Sequence, residues 1–297
     1  MPKLLEKGFI VKALVSCISK IDYFKKHSNL QIIQDDSRKL PDEYFKDVDA
    51  IIDLVALPND PNEDEEIKKE IYQINQFSRI RTAKLAKKNG VKRYILPSTC
   101  SVYGFVESNL IVNETSMPKP LTTYAKSNWK AEQGVLELAN CDFEVIVLRQ
   151  ATVFGLSPKM RFNLAINMMT LNAWQYGVIP LMNNGILWRP MVHIQDTTDV
   201  MCLVLETSRK SINGEIINVG SAYNNYQLSV LAQEIAEVIP IDVNIQSFRD
   251  TDYRSYRVSF EKVGRLLNWK AKWTVADGVI EIYQALESGQ LKVKALS

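Results

Sequence analysis

The chain has 297 residues, 46% of them hydrophobic, enough to bury one large core or two modest ones. Its 36 Lys and Arg stand against 34 Asp and Glu, a net charge of +2 with the signs interspersed, which argues against a dedicated nucleic-acid surface. No apolar run approaches the roughly 18 residues of a membrane helix and no signal-peptide pattern opens the chain, so a cytoplasmic protein that engages neither nucleic acid nor membrane is expected.

In chain order, short β-branched runs alternate with helical patterns. The runs are "FIVKALV" (9 to 15), "QII" (31 to 33), "AIIDLVAL" (50 to 57), "RYILPS" (93 to 98) and "FEVIVLR" (143 to 149). Continuous apolar strands of this kind read as buried and parallel. Between the last three lie two long helices. One is expected over Glu66 to Asn89, with Ile67, Ile71 and Ile74 on one face and Gly90 as its stop; the other runs from Thr122 to Asn140. This alternation predicts a doubly wound α/β sheet with right-handed crossovers. After Gly155 the pattern is less regular, then gives a strand at "EIINVG" (215 to 220), a helix over Leu228 to Val238 and a last helix over Asp277 to Glu287. Met168, Met169 and the Trp174 to Tyr176 stretch read as core. Cys17, Cys100, Cys141 and Cys202 are far apart with no C-x-x-C pair, so buried free thiols are expected rather than disulfides or a metal site.

Four blocks, "PSTCSVYG" (97 to 104), "TTYAKSNWKAE" (122 to 132), "LRQATVFG" (148 to 155) and "RPMVHIQD" (189 to 196), followed by "FRDTDYRSYRVSFEKVGRLLNW", resemble the extended short-chain dehydrogenase/reductases, in particular the NAD-dependent sugar-nucleotide epimerases and dehydratases. The blocks come in family order across nearly the whole chain. The resemblance implies a Rossmann-like dinucleotide-binding domain over residues 1–155, incomplete at its N-terminus, and mainly a smaller substrate-binding lobe over 156–297, with segments around 189–220 returning to the sheet. It implies NAD or NADP as cofactor, a nucleotide-sugar as substrate, and a homodimer through the two long helices. In the family a sugar carbon gives a hydride to NAD while a tyrosine phenolate takes the hydroxyl proton. Tyr124 matches that base, and Thr99 matches the hydroxyl that bonds the substrate oxygen. Asp36 in "QDDSRKL" matches an adenine-contacting aspartate, though it reads equally as a solvated loop acid. The Ala56 to Leu57 turn lies on the cofactor side. Arg189 matches a phosphate-approaching arginine, and Arg249 and Asp252 match an R-x-x-D pair that holds the nucleotide diphosphate and its ribose. "RSYR" (254 to 257) reads either as further phosphate contacts or as solvated, and His193 reads as a packed structural histidine rather than a catalyst.

Two departures stand out. A tyrosine with an ordinary pKa near 10 needs neighbouring positive charge to become a phenolate, and the family supplies a lysine one turn later. Here that position is Asn128, which hydrogen-bonds but carries no charge. Lys126 and Lys130 lie about 200° and about 240° round the helix from Tyr124, against about 40° for the i+4 position, so neither is expected to substitute. The family also opens with a strand and a glycine-rich turn whose amides cradle the pyrophosphate. "MPKLLEKGFIV" reads instead as the end of the family's first helix running into its second strand, so the first strand and the glycine loop are expected to be lacking, which makes cofactor binding doubtful. Three expectations follow: an epimerase, dehydratase or reductase whose sequence lacks its beginning and whose activity is impaired; a catalytically silent homologue acting as a nucleotide-sugar-binding, regulatory or scaffolding subunit; or a decayed chain without a stable fold.

Overall fold

In the computed structural model residues 1–17, 27–58 and 63–291 are described, the side chains of 209 and 210 excepted. They divide into two compact units drawn from interleaved stretches: 1–102, 120–149 and 198–217 form the first, and 103–119, 150–197 and 218–297 the second.

The first unit is built of parallel strands and helices. A short helix, Pro2–Glu6, turns at Gly8 (φ 81°) into the strand Val11–Val15, which pairs in parallel with Leu30–Gln34, Val11 opposite Leu30. A four-stranded sheet has the order Ile216–Val219, Glu144–Gln150, Arg93–Thr99, Ala50–Ile52. Its two middle strands are buried almost end to end, as their unbroken apolar runs require. The charges at their ends are paired: Arg93 donates to Glu144 at 2.6 Å and to the carbonyls of Leu205 and Thr207, capping the helix Ile194–Glu206, and Arg149 meets Glu132 at 2.7 Å.

The two long helices differ from expectation in instructive ways. The first is not continuous. Glu65–Tyr72 and Arg79–Lys88 are joined by a π-helical turn, Gln73–Ser78, a feature that recurs at functional sites. Inside that turn Asn75 is wholly buried and clamps the main chain of Leu57, so the expected strand 50 to 57 ends at Ile52 and its last residues serve as a ligand of the helix instead. The second helix, Thr123–Leu136, is capped by the Thr122 hydroxyl and stops short of Asn140, whose side chain accepts from the amides of Asp142 and Phe143 and turns the chain into the next strand. The helices touch at Gly134, where an added Cβ would stand 2.4 Å from Ile80 Cδ1.

The second unit holds a three-stranded sheet in which Trp188–His193 pairs in parallel with Thr152–Phe154 and antiparallel with Asn225–Gln227, and a two-stranded one of Val178–Met182 with Asn244–Phe248. Helices Ala165–Tyr176, Leu228–Val238 and Val275–Glu287 close over a core that includes Phe154, Met169, Ile179, Leu231 and Val279. Two helices, Ala165–Tyr176 in this unit and Ile194–Glu206, most of which belongs to the first, fall where the sequence was read as irregular. The first buries Ile166, Asn167, Met169, Thr170, Leu171 and Ala173, a spread too wide to leave an amphipathic stripe. Met169 is core as expected, but Tyr176 is 56% exposed. None of the four cysteines forms a disulfide; Cys100 and Cys202 are buried, whereas Cys141, expected to be buried, is exposed. Among the described residues no helix is long and apolar enough to cross a membrane, and no cluster of side chains could hold a metal ion.

Candidate functional site

In the first unit, Thr99 ends the Arg93–Thr99 strand and its hydroxyl donates to the Ser101 hydroxyl at 2.9 Å. Tyr124 lies in the first turn of the helix begun at Thr123 and is half-buried. Asn128, one turn on, is 1% exposed, and both ends of its amide are engaged inside the unit. Its Nδ2 donates to the Tyr124 carbonyl at 2.8 Å and its Oδ1 accepts from Arg79 Nη1 at 2.7 Å.

Arg79 is the residue that sequence reasoning missed. It is 2% exposed, and its Nη2 donates to the carbonyls of Asp53 (2.9 Å) and Pro97 (2.8 Å), the ends of two neighbouring strands. Its Nε lies 3.9 Å from Asp53 Oδ1 and has no hydrogen-bond partner. Asp53 in turn accepts from the Val55 amide at 3.1 Å and from the Tyr94 hydroxyl, whose pKa burial and the Asp53 charge push well above 10. A guanidinium from another helix is therefore bonded to the amide of Asn128. The lysines behave as their angles required: Lys126 is exposed and Lys130 sits over the Tyr72 ring, 5.1 Å from its centroid. The signal that could have found Arg79 is its place on the core stripe with Ile71, Asn75 and Ala83, where an arginine has no solvent to reach.

On the expected cofactor side, Asp36 caps the turn Ser37–Lys39 and takes Arg38 in a bidentate pair, Nε at 2.8 Å and Nη2 at 2.6 Å; that side-chain contact holds the carboxylate down at about 2. Ala56 is exposed, and Leu57 offers no free main-chain group to the Asn75 side because its N–H and C=O both bond that amide, at 2.7 and 2.9 Å.

In the second unit the structure brings Arg189 and Asp252 together. Arg189 Nη2 meets Asp252 Oδ2 at 3.1 Å, Nη1 donates to the Trp188 and Arg254 carbonyls, and the guanidinium lies over the Tyr256 ring. Burial lowers the Arg189 pKa against the pull of its neighbours. Arg254 also pairs with Asp252, through Nη2 at 2.5 Å and Nε at 2.8 Å. Burial opposes ionisation of Asp252, but the Arg254 contacts and the Arg189 charge outweigh it and hold the carboxyl at about 2. Arg249, just beyond the Asn244–Phe248 strand, is exposed. His193 is fully buried, stacked on Trp273 at 4.1 Å and bonded through Nε2 to Glu281 at 3.0 Å. Gly155 (φ 105°) makes room for it, since a Cβ there would fall 2.1 Å from His193 Nε2.

Comparison with known proteins gives the relatives of the chain as a whole. The chain is 29% identical over 213 residues to a probable UDP-arabinose 4-epimerase 3 of Arabidopsis thaliana, covering 65% of this chain and 51% of that protein. A putative UDP-arabinose 4-epimerase 2 of the same plant is 28% identical over 207 residues, 63% of this chain and 49% of the relative; the chain thus spans about half the length of these curated relatives. Its fold matches the solved UDP-glucuronic acid 4-epimerase of Bacillus cereus in complex with UDP-glucuronic acid and NAD, with a TM-score of 0.86 at 18% identity over 97% of this chain and 94% of that one. It also matches the dTDP-glucose 4,6-dehydratase of Bacillus anthracis in complex with NAD, at TM-score 0.81 and 20% identity over 97% and 92%. The fold is that α/β Rossmann-like architecture. The model of the NAD dependent epimerase/dehydratase family matches residues 13–220, and the chain belongs to that family.

Proposed function

We propose that the protein acts on a UDP-activated sugar by the redox chemistry of its family, with Tyr124 as base and NAD as cofactor. The observation that carries this reading is the placing of Thr99 and Tyr124 at the carboxyl end of a buried parallel strand and the start of the helix that follows, where open α/β sheets bind their ligands. The residues present fit the two ends of a dinucleotide: Asp36 and the exposed Ala56, beside a Leu57 main chain fixed by Asn75, suit the adenosine end, and Tyr124 the nicotinamide end. NAD, when bound, would accept the hydride from the sugar carbon and return it. Tyr124 takes the proton of the hydroxyl on that carbon as the carbonyl forms, and gives it back on reduction; Thr99 donates a hydrogen bond to the same oxygen. Arg189, Asp252 and Arg249 form the nucleotide-diphosphate side, where a surplus of guanidinium charge suits phosphate. A homodimer through the outer faces of the two long helices belongs to the same proposal, and Phe77, 52% exposed on the first of them, is an apolar side chain such contact would cover.

The test is a titration of the folded chain with NADH, read by tryptophan quenching and energy transfer to the nicotinamide, then incubation with NAD and UDP-glucuronic acid or UDP-arabinose and chromatography of the sugars. Saturable binding and a second sugar are expected. A folded chain that binds UDP but neither binds NADH nor alters any sugar would overturn the enzyme reading in favour of a silent nucleotide-sugar-binding subunit.

A further inference from the structure

His193 ends the strand Trp188–His193 and is 0% exposed, a titratable group that the redox chemistry proposed above leaves unused. We propose that its contact with Glu281 is an acid-sensitive latch, shut while the imidazole is neutral and released on protonation, that holds the helix Val275–Glu287 onto the body of the second unit.

The hydrogen bonds decide which tautomer the ring adopts. The Gln195 main-chain N–H donates to Nδ1 at 3.3 Å, so that nitrogen keeps its lone pair. The proton therefore sits on Nε2, which donates to Glu281 Oε2 at 3.0 Å. Both nitrogens are satisfied with no charge on the ring. A second proton would have to go on Nδ1, where it would face the Gln195 N–H and find no acceptor. The ring has no room to turn and find one elsewhere. Trp273 stacks on it with centroids 4.1 Å apart, and the Phe154 ring meets it edge-on at 5.2 Å. A Cβ on Gly155 would fall 2.1 Å from Nε2, and one on Gly278 would fall 3.2 Å from Cδ2.

Among the described residues the charges that face the ring are all carboxylates. Helix Val275–Glu287 brings Glu281 and Asp277, and the turn after the strand brings Asp196. The strand Thr152–Phe154 and the segment before the helix bring uncharged contacts, Phe154 and Trp273. Burial opposes the imidazolium more strongly than Glu281, Asp196 and Asp277 favour it, which holds the pKa below the ordinary 6.5. The same carboxylates seat the helix. Glu281 Oε2 also accepts from the Leu156 N–H at 2.9 Å, and Asp196 accepts from the amides of Lys272 and Trp273 at 3.0 and 3.1 Å. A ring expelled by its own charge therefore takes with it the contacts that fix both the helix and the segment leading into it. Glu281 is also the proton's way in, because its side chain is 24% exposed and lines, with Trp273 and Asp277, an open groove of about 480 Å³.

The sign follows from the neutral ring being the one the fold favours. The latch contributes fully above about pH 6.5 and weakens as the pH falls from there toward the folded-state value, one proton being taken up on opening. The opening equilibrium of the helix then grows by up to about tenfold per pH unit.

His193 is one of two histidines, so carbon-13 labelling of the histidine rings in the full chain gives two signals, which His27→Gln assigns. The His193 midpoint is expected below 6.5. Hydrogen exchange, corrected for the pH dependence of the intrinsic rate, is followed on the same sample. Amides within Val275–Glu287 are expected to lose protection by up to about tenfold between about pH 6.5 and 5.5, while those of Leu228–Val238 in the same unit keep theirs. His193→Gln keeps a side-chain N–H for Glu281 but takes up no proton, so the pH dependence of the helix should disappear. A His193 midpoint above 6.5, an equal loss of protection in the two helices, or a pH dependence that survives in folded His193→Gln overturns the proposal. If His193→Gln does not fold, the wild-type midpoint and the comparison of the two helices decide.

Discussion

Arg79 and Arg189 are both buried arginines beside an aspartate, and they are built for opposite ends. Around Arg79 one guanidinium faces one carboxylate, and its remaining contacts are main-chain carbonyls and the Asn128 amide, all inside the first unit. Around Asp252 two guanidinia, Arg189 and Arg254, share one carboxylate, with the exposed Arg249 three residues upstream. The first cluster is neutral and closed. The second carries net positive charge at the edge of solvent, which is what a diphosphate needs. Burial alone thus does not say what an arginine does; the count of carboxylates against guanidinia, and what consumes the donors, does.

The sharpest way to break this contrast is to remove each arginine and read two different quantities. Arg79→Met leaves Asp53 buried without its cation and two strand-end carbonyls without donors, so a loss of roughly 3–5 kcal/mol in urea-unfolding stability is expected. Arg189→Ala should cost less stability but weaken UDP binding about 10- to 100-fold in isothermal titration, the worth of a charge-assisted pair to phosphate. If instead Arg79→Met weakened UDP binding while leaving stability intact, the two roles would have been assigned the wrong way round.

How much of this was legible in the sequence follows from the same contrast. Strands 93–99 and 144–150 announced themselves because burial on both faces leaves an unbroken apolar run, and Tyr124, Thr99, Arg189 and Asp252 stood in local blocks that are read along the chain. Arg79 did not, because its partners come from positions 26, 18 and 49 residues away, and no short motif holds a contact of that span. The π-helical turn at Gln73–Ser78 was hidden for a related reason: it goes with a side-chain clamp from Asn75 to Leu57, 18 residues distant, while the local pattern is that of an ordinary helix. Helix Ala165–Tyr176 escaped because it is buried on too many sides to show a stripe.

Asp252 offers a smaller effect, read through pH. Its carboxyl is held at about 2 in the folded chain against an ordinary 3.8, so the ion pairs it makes stabilise the fold fully above about pH 4 and that contribution is lost as the pH falls through 2. Because the group is partly open to solvent, its share is roughly 1 kcal/mol. Asp252→Asn should therefore flatten the acid limb of the stability curve between about pH 4 and pH 2 relative to wild type, and an unchanged limb would mean that other carboxylates carry it.

The smallest expected effect separates the arginines within the second cluster. Arg249 is exposed, whereas Arg189 is buried against Tyr256 and Asp252. An exposed cation acts on a diphosphate through solvent, where about 0.1 M salt already limits its reach to about 10 Å, while a buried guanidinium is screened much less. Arg249→Ala should weaken UDP binding only a few-fold at low ionic strength, and the difference from wild type should vanish near 0.5 M NaCl, about the point where the Debye length falls below the reach of a side chain. The Arg189→Ala deficit should persist at the same salt. A deficit at Arg249 that survived high salt would require a direct contact with the ligand, and the position would then belong to the binding surface in the same sense as Arg189 rather than to the field around it.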